Sequence, residues 1–79
     1  MAQSSLVLYG QDSNGLYCQL DTYTDSELKC ELLFDQVTTR TRKTDRYSYR
    51  LDLLSSKDAL VSRRVFTDEY QCSKVLMMM

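Results

Sequence analysis

The residue types with the clearest binding chemistry are concentrated in one stretch, residues 38–50, which holds five of the ten basic side chains of the chain. Arginine and lysine bind phosphate or carboxylate groups, and tyrosine rings stack on nucleobases. This combination predicts a contact with a nucleic-acid backbone or with an acidic protein surface, and a solvated loop is the third interpretation. The residues that would make these contacts are Arg40, Arg42, Lys43, Arg46, Tyr47 and Arg50.

Catalytic and metal-binding chemistry has no comparable basis in the sequence. The chain has no histidine, the side chain that most often acts as a general base near neutral pH. It has neither a phosphate-binding Gly-rich loop nor a Gly-flanked nucleophilic serine. Cys18, Cys30 and Cys72 lack the C-x-x-C spacing of a zinc site. We therefore expect reduced thiols, no metal, no cofactor and no enzymatic activity.

A chain of 79 residues is expected to form a single domain over residues 1–79. A domain of this size buries only about 60% of the surface that its unfolded chain exposes. The small core therefore predicts support from a protein partner or from a second copy, as in a homodimer. No apolar run is long enough to span a bilayer, and no apolar signal segment is expected before the fold. We expect a cytoplasmic protein with no membrane partner.

The net charge of −1 conceals an uneven distribution along the chain. Residues 1–39 carry six acidic side chains and one lysine, which gives 1 − 6 = −5. Residues 40–79 carry nine basic and five acidic side chains, which gives 9 − 5 = +4. The two halves either attract each other within one fold or form a bipolar surface that suits head-to-tail association or two partners.

Alternation of apolar and polar residues predicts β-strands in the first 54 residues. Apolar and polar residues alternate at every position of residues 47–53, and residues 6–9 and 16–20 also suit strands. Asn14-Gly15 lies between the latter two and predicts a hairpin turn, because these residues tolerate a positive φ.

Residues 28–37 fit two different structures. Asp25-Ser26-Glu27 resembles a helix cap, and a helix would place four apolar residues on one face: Leu28, Leu32, Leu33 and Val37. As a strand, the segment would pair with residues 16–20 and with residues 49–53, apolar opposite apolar at every position. We prefer the strand because of this agreement. The common apolar face would then consist of Leu6, Leu8, Leu16, Cys18, Leu20, Cys30, Leu32, Phe34, Tyr49, Leu51 and Leu53.

The last 25 residues also leave two structures open. Residues 55–58 suit a hairpin turn into a strand at 60–66 or the cap of a helical turn, and residues 67–69 suit a helix start. The fold class that we predict is mainly β: a small antiparallel meander of about five to six strands, as an open barrel or a sheet. The alternative is an α+β fold in which a C-terminal helix packs on a four-stranded meander.

The second face of the predicted sheet mixes apolar, aromatic and acidic residues, and one C-terminal layer cannot cover both faces. Uncovered apolar patches on small proteins usually mark an interface. The predicted partner-binding residues on this face are Tyr9, Tyr17, Tyr23, Leu33, Val37 and Leu54. We predict a non-enzymatic protein–protein interaction module, such as a regulator, inhibitor or assembly subunit, that docks through this mixed apolar and acidic face or through a strand edge. The alternative is a nucleic-acid-binding protein that uses a basic hairpin at residues 38–50.

Overall fold

The computed structural model describes residues 2–40 and 49–66, which form four strands and one helix. In chain order these elements are β1 (Gln3–Gln11), β2 (Tyr17–Ser26), α1 (Glu27–Arg40), β3 (Tyr49–Leu54) and β4 (Leu60–Phe66). The strands form one antiparallel sheet in the order β2-β1-β3-β4, and α1 packs on one of its faces.

The prediction of a mainly β fold is confirmed, and four strands with one helix agree with the α+β alternative. The helix, however, lies between β2 and β3, whereas we placed it after the last strand. Residues 67–79, where that C-terminal helix was predicted, lie outside the described residues. The sheet is also not a simple meander, since β1 lies between β2 and β3, and α1 connects these two strands across it.

The predicted hairpin turn at Asn14-Gly15 is confirmed. Gly15 has a φ of 80°, a conformation that residues with a Cβ rarely adopt. The backbone N–H of Asp12 donates to the carbonyl of Leu16 over 2.8 Å. The carboxylate of Asp12 also accepts hydrogen bonds from the N–H groups of Asn14 and Leu16, over 2.8 and 2.9 Å. One aspartate therefore closes the turn that joins β1 to β2.

The second turn, between β3 and β4, is the hairpin that we considered for residues 55–58. The N–H of Ser55 donates to the carbonyl of Ala59 over 2.8 Å. The hydroxyl of Ser55 accepts hydrogen bonds from the N–H groups of Lys57 and Ala59, each over 3.2 Å. These bonds satisfy turn amides locally, so the chain reverses into β4 rather than continuing as a helix.

The prediction of a strand over residues 28–37 is wrong, because these residues lie within α1. The hydroxyl of Ser26 accepts a hydrogen bond from the N–H of Lys29 over 3.3 Å, as an N-cap does. The buried positions of the helix are Cys30, Leu33, Phe34 and Val37, which have the spacing i, i+3, i+4, i+7 of one helical face. The helical face considered from the sequence is correct for Leu33 and Val37, which are buried, and wrong for Leu28 and Leu32, which are exposed.

The strand pairing predicted for residues 28–37 is made by β1 instead. Leu6 lies opposite Leu53, and Leu8 lies opposite Leu51. The apolar match to β3 is therefore real, but it comes from a different segment of the chain. β1 also pairs with β2 along its whole length, so it takes the position between β2 and β3 that was predicted for residues 28–37.

The core lies between α1 and the sheet. Its buried members are Leu6, Leu8, Cys30, Leu33, Phe34, Val37, Leu51, Leu53 and Phe66, with Tyr23 and Tyr49 packed against them. The ring of Tyr49 stacks on that of Phe66 with 5.6 Å between the centroids. Three leucines predicted for this face, Leu16, Leu20 and Leu32, are exposed, as is Cys18. The predicted apolar face is thus correct for β1 and β3 and wrong for β2.

Arg64 of β4 forms a hydrogen bond at the C-terminal end of α1. Its guanidinium donates a hydrogen bond to the carbonyl of Thr38 over 3.3 Å. The last carbonyls of a helix lack partners within the helix and carry partial negative charge, so a cation there is stabilising. The contact fixes the C-terminal end of α1 against the β3–β4 side of the sheet.

Adjacent leucines of α1 provide a matched test of the helix and of its phase. We expect Leu33→Ala to lower the free energy of unfolding by about 2–5 kcal/mol, because a buried side chain leaves a cavity. Leu32→Ala should change it by no more than about 0.5 kcal/mol, since this side chain is exposed. Urea denaturation of both variants measures the difference. Equal losses in the two variants would contradict the phase of the helix.

Candidate functional site

The six residues predicted to form one partner-binding face do not share a surface. Tyr9, Tyr17 and Leu54 lie on the sheet face that is turned away from α1, as judged by strand register and alternation. Tyr23 lies opposite Leu6 and packs against the core on the helix side. Leu33 and Val37 are buried in the core. The predicted face fails because it required residues 28–37 to form a strand.

The predicted basic hairpin at residues 38–50 is not a hairpin between two strands, because it follows α1 and precedes β3. Arg40 is the last residue of the helix, and Arg50 is the second residue of β3. Arg42, Lys43, Arg46 and Tyr47 lie outside the described residues. Of the predicted basic contacts, only Arg50 has a described side chain.

Arg50 belongs to a group of charged and aromatic side chains on the sheet face away from α1. We name this group the Tyr–Arg cluster; it consists of Tyr9, Tyr17, Arg50, Asp52 and Arg63. The guanidinium of Arg50 lies 4.3 Å from the ring centroid of Tyr9 and 4.6 Å from that of Tyr17. These are favourable cation–π distances. The sequence showed the tyrosines and the arginine but not that they meet.

Asp52 joins two arginines in the Tyr–Arg cluster. Arg63 donates two hydrogen bonds to its carboxylate, over 2.8 and 3.2 Å, and the Nε of Arg50 lies 3.3 Å from it. The Asp52 side chain is only 5% exposed, so its charge depends on these partners. Hydrogen bonding to Asp52 raises the pKa of Arg63 further above its ordinary value, and Arg63 stays charged. Two arginines and one aspartate give this face a local charge of +1.

The Tyr–Arg cluster contains no histidine, cysteine or serine side chain. One face of each tyrosine ring is covered by Arg50, which limits stacking on a base. The arrangement is that of a charged and aromatic network on a sheet face, in which the hydrogen bonds run from Arg63 to Asp52 and Arg50 adds an ion pair.

The outer edge of β2 is ten residues long and was a predicted docking edge, but its own side chains occupy part of it. The carboxylate of Asp21 accepts a hydrogen bond from the N–H of Thr22 over 2.8 Å, and that of Asp25 accepts one from Ser26 over 2.7 Å. These N–H groups therefore point away from β1. Leu20 is an extra residue in the register and forms a bulge. Both features hinder the addition of another strand.

Asp25 also connects the end of β2 to the start of α1. Its second carboxylate oxygen accepts a hydrogen bond from the Tyr23 hydroxyl over 2.6 Å. This bond lowers the pKa of Asp25 and raises the pKa of Tyr23. The thiol of Cys30 donates to the carbonyl of Ser4 over 3.3 Å, and burial raises the pKa of this thiol. Cys18 is exposed on β2, and both thiols are free.

The solvent side of α1 combines acidic and apolar side chains. We name it the acidic helix surface; its residues are Glu27, Leu28, Glu31, Leu32 and Asp35. Leu28 is 80% exposed and Leu32 is 55% exposed, one helical turn apart. The sequence prediction missed this surface because it treated the segment as a strand. The signals that could have identified it are the Ser26 cap and the spacing of the four buried positions.

Comparisons with protein-family models, curated proteins and solved structures find no match to this chain. In residues 2–40 and 49–66 no three His, Cys, Asp or Glu side chains are grouped so as to hold a metal ion. The helix of the described part of the chain is not long and apolar enough to cross a membrane.

Substitution of Tyr23 tests the hydrogen bond at the start of the helix. We expect Tyr23→Phe to raise the pKa of Asp25, because the carboxylate loses a donor; Tyr9→Phe, on the other sheet face, should not change it. The bond stabilises the fold above the unfolded pKa of Asp25, about 3.9, and below that of Tyr23, about 10. The stability difference between wild type and Tyr23→Phe should therefore shrink as pH falls through the folded pKa of Asp25.

The stability difference between wild type and Tyr23→Phe should also shrink as pH rises through the folded pKa of Tyr23. Carbon-detected NMR titration of the carboxyl group and urea denaturation across pH measure the two effects. An Asp25 pKa that is the same in wild type and Tyr23→Phe would contradict the bond.

Proposed function

We propose that this protein is a non-enzymatic protein–protein interaction module whose acidic helix surface binds a basic segment of a partner protein. The observation that supports the proposal is the exposure of Leu28 and Leu32 among three acidic side chains. Such a role is compatible with a regulator, an inhibitor or a subunit of an assembly.

The leucines provide the apolar part of this surface. Burying an exposed leucine contributes roughly 1.5–3 kcal/mol, so two of them one turn apart are a sufficient anchor for a small interface. A helix stripe with this spacing suits an amphipathic segment that lies along it. We therefore propose the helix, rather than the sheet face that we expected, as the mixed apolar and acidic docking surface.

The carboxylates determine the sign of the charge that the partner must carry. None of Glu27, Glu31 and Asp35 forms an ion pair with a described residue. A partner with lysine or arginine beside its apolar residues would neutralise them, and it would associate faster at low salt. A second copy that presented the same surface would bring like charges together. We therefore favour a different protein as the occupant of this surface, with the homodimer as an outcome for the experiment.

Nucleic-acid binding is the second candidate, and the observation that favours it is the placement of two arginines and two tyrosines on one sheet face. Arg63 is 45% exposed and could contact a phosphate. The local charge of +1 is low for this purpose, since dedicated binders carry strongly basic surfaces.

A defined peptide tests the first candidate. We expect an 18-residue amphipathic peptide of lysine and leucine to bind the protein, and its glutamate–leucine counterpart not to bind. Replacing both Leu28 and Leu32 by alanine should weaken binding by about tenfold or more, because the anchor is lost. Leu60→Ala, which changes a leucine on β4 about as exposed as Leu32, should leave binding unchanged. Fluorescence anisotropy of the labelled peptide measures the affinities.

Two results would contradict the proposal. One is equal weakening by Leu60→Ala, which would indicate non-specific adhesion. The other is the absence of peptide binding together with salt-dependent binding of a single-stranded oligonucleotide that Arg63→Gln weakens, which would favour the second candidate. Sedimentation equilibrium of the protein alone shows whether a second copy occupies the surface. If the wild type is a dimer and the Leu28→Ala/Leu32→Ala variant is a monomer, the occupant is a second copy rather than a different protein.

A further inference from the structure

A groove runs between the first half of α1 and the β3–β4 turn. Its inner part is a small cavity of about 80 Å³ lined by Ser4, Glu27, Glu31, Leu53, Ser55, Ser56 and Val61. Its outer part is a wide cleft of about 660 Å³ lined by Ala2, Ser26, Glu27, Leu28 and Glu31. Glu27 and Glu31 line both parts, so a ligand that enters from the outer cleft reaches the inner cavity between two carboxylates.

Ser4 provides an observation that is independent of the carboxylates. The residue is only 4% exposed, and its side chain lines the inner cavity. Its carbonyl accepts the hydrogen bond of the Cys30 thiol, but its hydroxyl has no hydrogen bond to any described residue. The hydroxyl oxygen is not one of the fully buried atoms without a partner, so it keeps a small accessible surface where Ser4 lines the cavity. The hydroxyl of Ser4 is therefore an acceptor or donor that remains for a ligand.

The chemistry of the lining indicates a cationic ligand of a particular shape. Glu27 and Glu31 are one turn apart on α1, and neither carboxylate has an ion-pair partner among the described residues. The hydroxyls of Ser4 and Ser56 add neutral oxygen atoms, whereas the hydroxyl of Ser55 already accepts two N–H groups of the turn. Two carboxylates and two neutral hydroxyls suit an ammonium group, which has three N–H donors and a single charge. Ca²⁺ ordinarily takes six to eight oxygen ligands, which is more than these side chains supply.

The sizes of the inner cavity and the outer cleft favour lysine over arginine as the side chain that binds in the groove. A cavity needs about 10–15 Å³ to hold one water molecule. The inner cavity has about 80 Å³ and therefore accommodates an ammonium group with the last methylenes of its side chain. The ammonium of lysine is compact, whereas the guanidinium of arginine is a wide planar fork. Ala2, Leu28 and Val61 along the path are apolar and would cover the aliphatic stem.

We propose that this groove binds a primary alkylammonium group, the ε-ammonium of a lysine side chain that the partner protein inserts between Glu27 and Glu31 towards Ser4. The proposal rests on the proposed function, because Glu27, Leu28 and Glu31 belong to the acidic helix surface. It adds the identity of one partner residue and the place where that residue ends.

The test uses a small probe and needs no partner protein. Nα-acetyl-lysine N-methylamide, titrated into the ¹⁵N-labelled protein, should shift the backbone amide signals of Ser4, Glu31 and Ser55. Nα,Nε-diacetyl-lysine N-methylamide, which lacks the charge, should not shift them. Glu31→Gln and Glu27→Gln should each weaken binding by about tenfold, since each removes a charged acceptor. Ser4→Ala should weaken it by a smaller factor.

Asp58→Asn is the matched control, because Asp58 is an exposed carboxylate in the neighbouring β3–β4 turn that lines neither part of the groove and does not belong to the acidic helix surface. This variant should bind the probe as the wild type does. Equal weakening by Asp58→Asn and Glu31→Gln would overturn the proposal, since it would indicate attraction to the overall charge alone. Equal shifts with the diacetylated probe would also overturn it.

Cadaverine, a free diamine, distinguishes the two sources of an alkylammonium group. Binding of the lysine amide at least as tight as that of cadaverine supports a protein side chain as the ligand. A tenfold preference for cadaverine would overturn this source and assign the groove to a free diamine. Failure of both probes would reject the groove but leave the peptide-binding surface of Leu28 and Leu32 intact, so the two proposals fail separately.

Discussion

The contact between α1 and the centre of the sheet is the interaction on which the rest of the structure depends. The helix supplies Cys30, Leu33, Phe34 and Val37, and the sheet supplies an apolar stripe from β1, β3 and β4. In a domain with so little buried area this layer carries most of the hydrophobic stabilisation. The helix is held at both ends, by the cap at Ser26 and by the hydrogen bond from Arg64 to Thr38. Its rotation about its own axis is consequently well defined.

That rotation determines which side chains of the helix reach solvent. The positions that the core does not use are occupied by carboxylates and by Leu28 and Leu32, so the surface most suited to a partner is the reverse side of the element that makes the core. The same placement brings Glu27 and Glu31 next to the β3–β4 turn and creates the groove above Ser4. Substitutions in the core of α1 are therefore expected to affect this surface through the position of the helix.

The other face of the sheet is arranged differently. It is covered by charged and aromatic side chains that contact one another, with Asp52 beside two arginines and Arg50 against two tyrosine rings. A buried charge of this kind adds little net stability, but removal of one partner leaves an unpaired charge and is destabilising. On the outer strand β2, Asp21 and Asp25 occupy N–H groups that another strand would need. Both features support the proposal that a partner binds at the helix rather than at the sheet face or the β2 edge.

The sequence by itself determined the local features of this protein. The Asn14-Gly15 turn, the strands that include Leu6, Leu8, Leu51 and Leu53, and the turn before β4 follow from alternation and turn chemistry, which act over a few residues. The acidic character of the first half of the chain also follows directly from composition.

Only the tertiary structure decided the state of residues 27–40 and the location of the candidate site. Cys30, Leu32 and Phe34 alternate as in a strand, while Cys30, Leu33, Phe34 and Val37 repeat as in a helix, and the two patterns have similar strength. β1 resolved the ambiguity, because it pairs with both β2 and β3 and takes the position predicted for residues 28–37. Long-range strand pairing is not encoded in any local window, so neither the choice between these two patterns nor the meeting of Arg50 with Tyr9 and Tyr17 could be read from the residues alone.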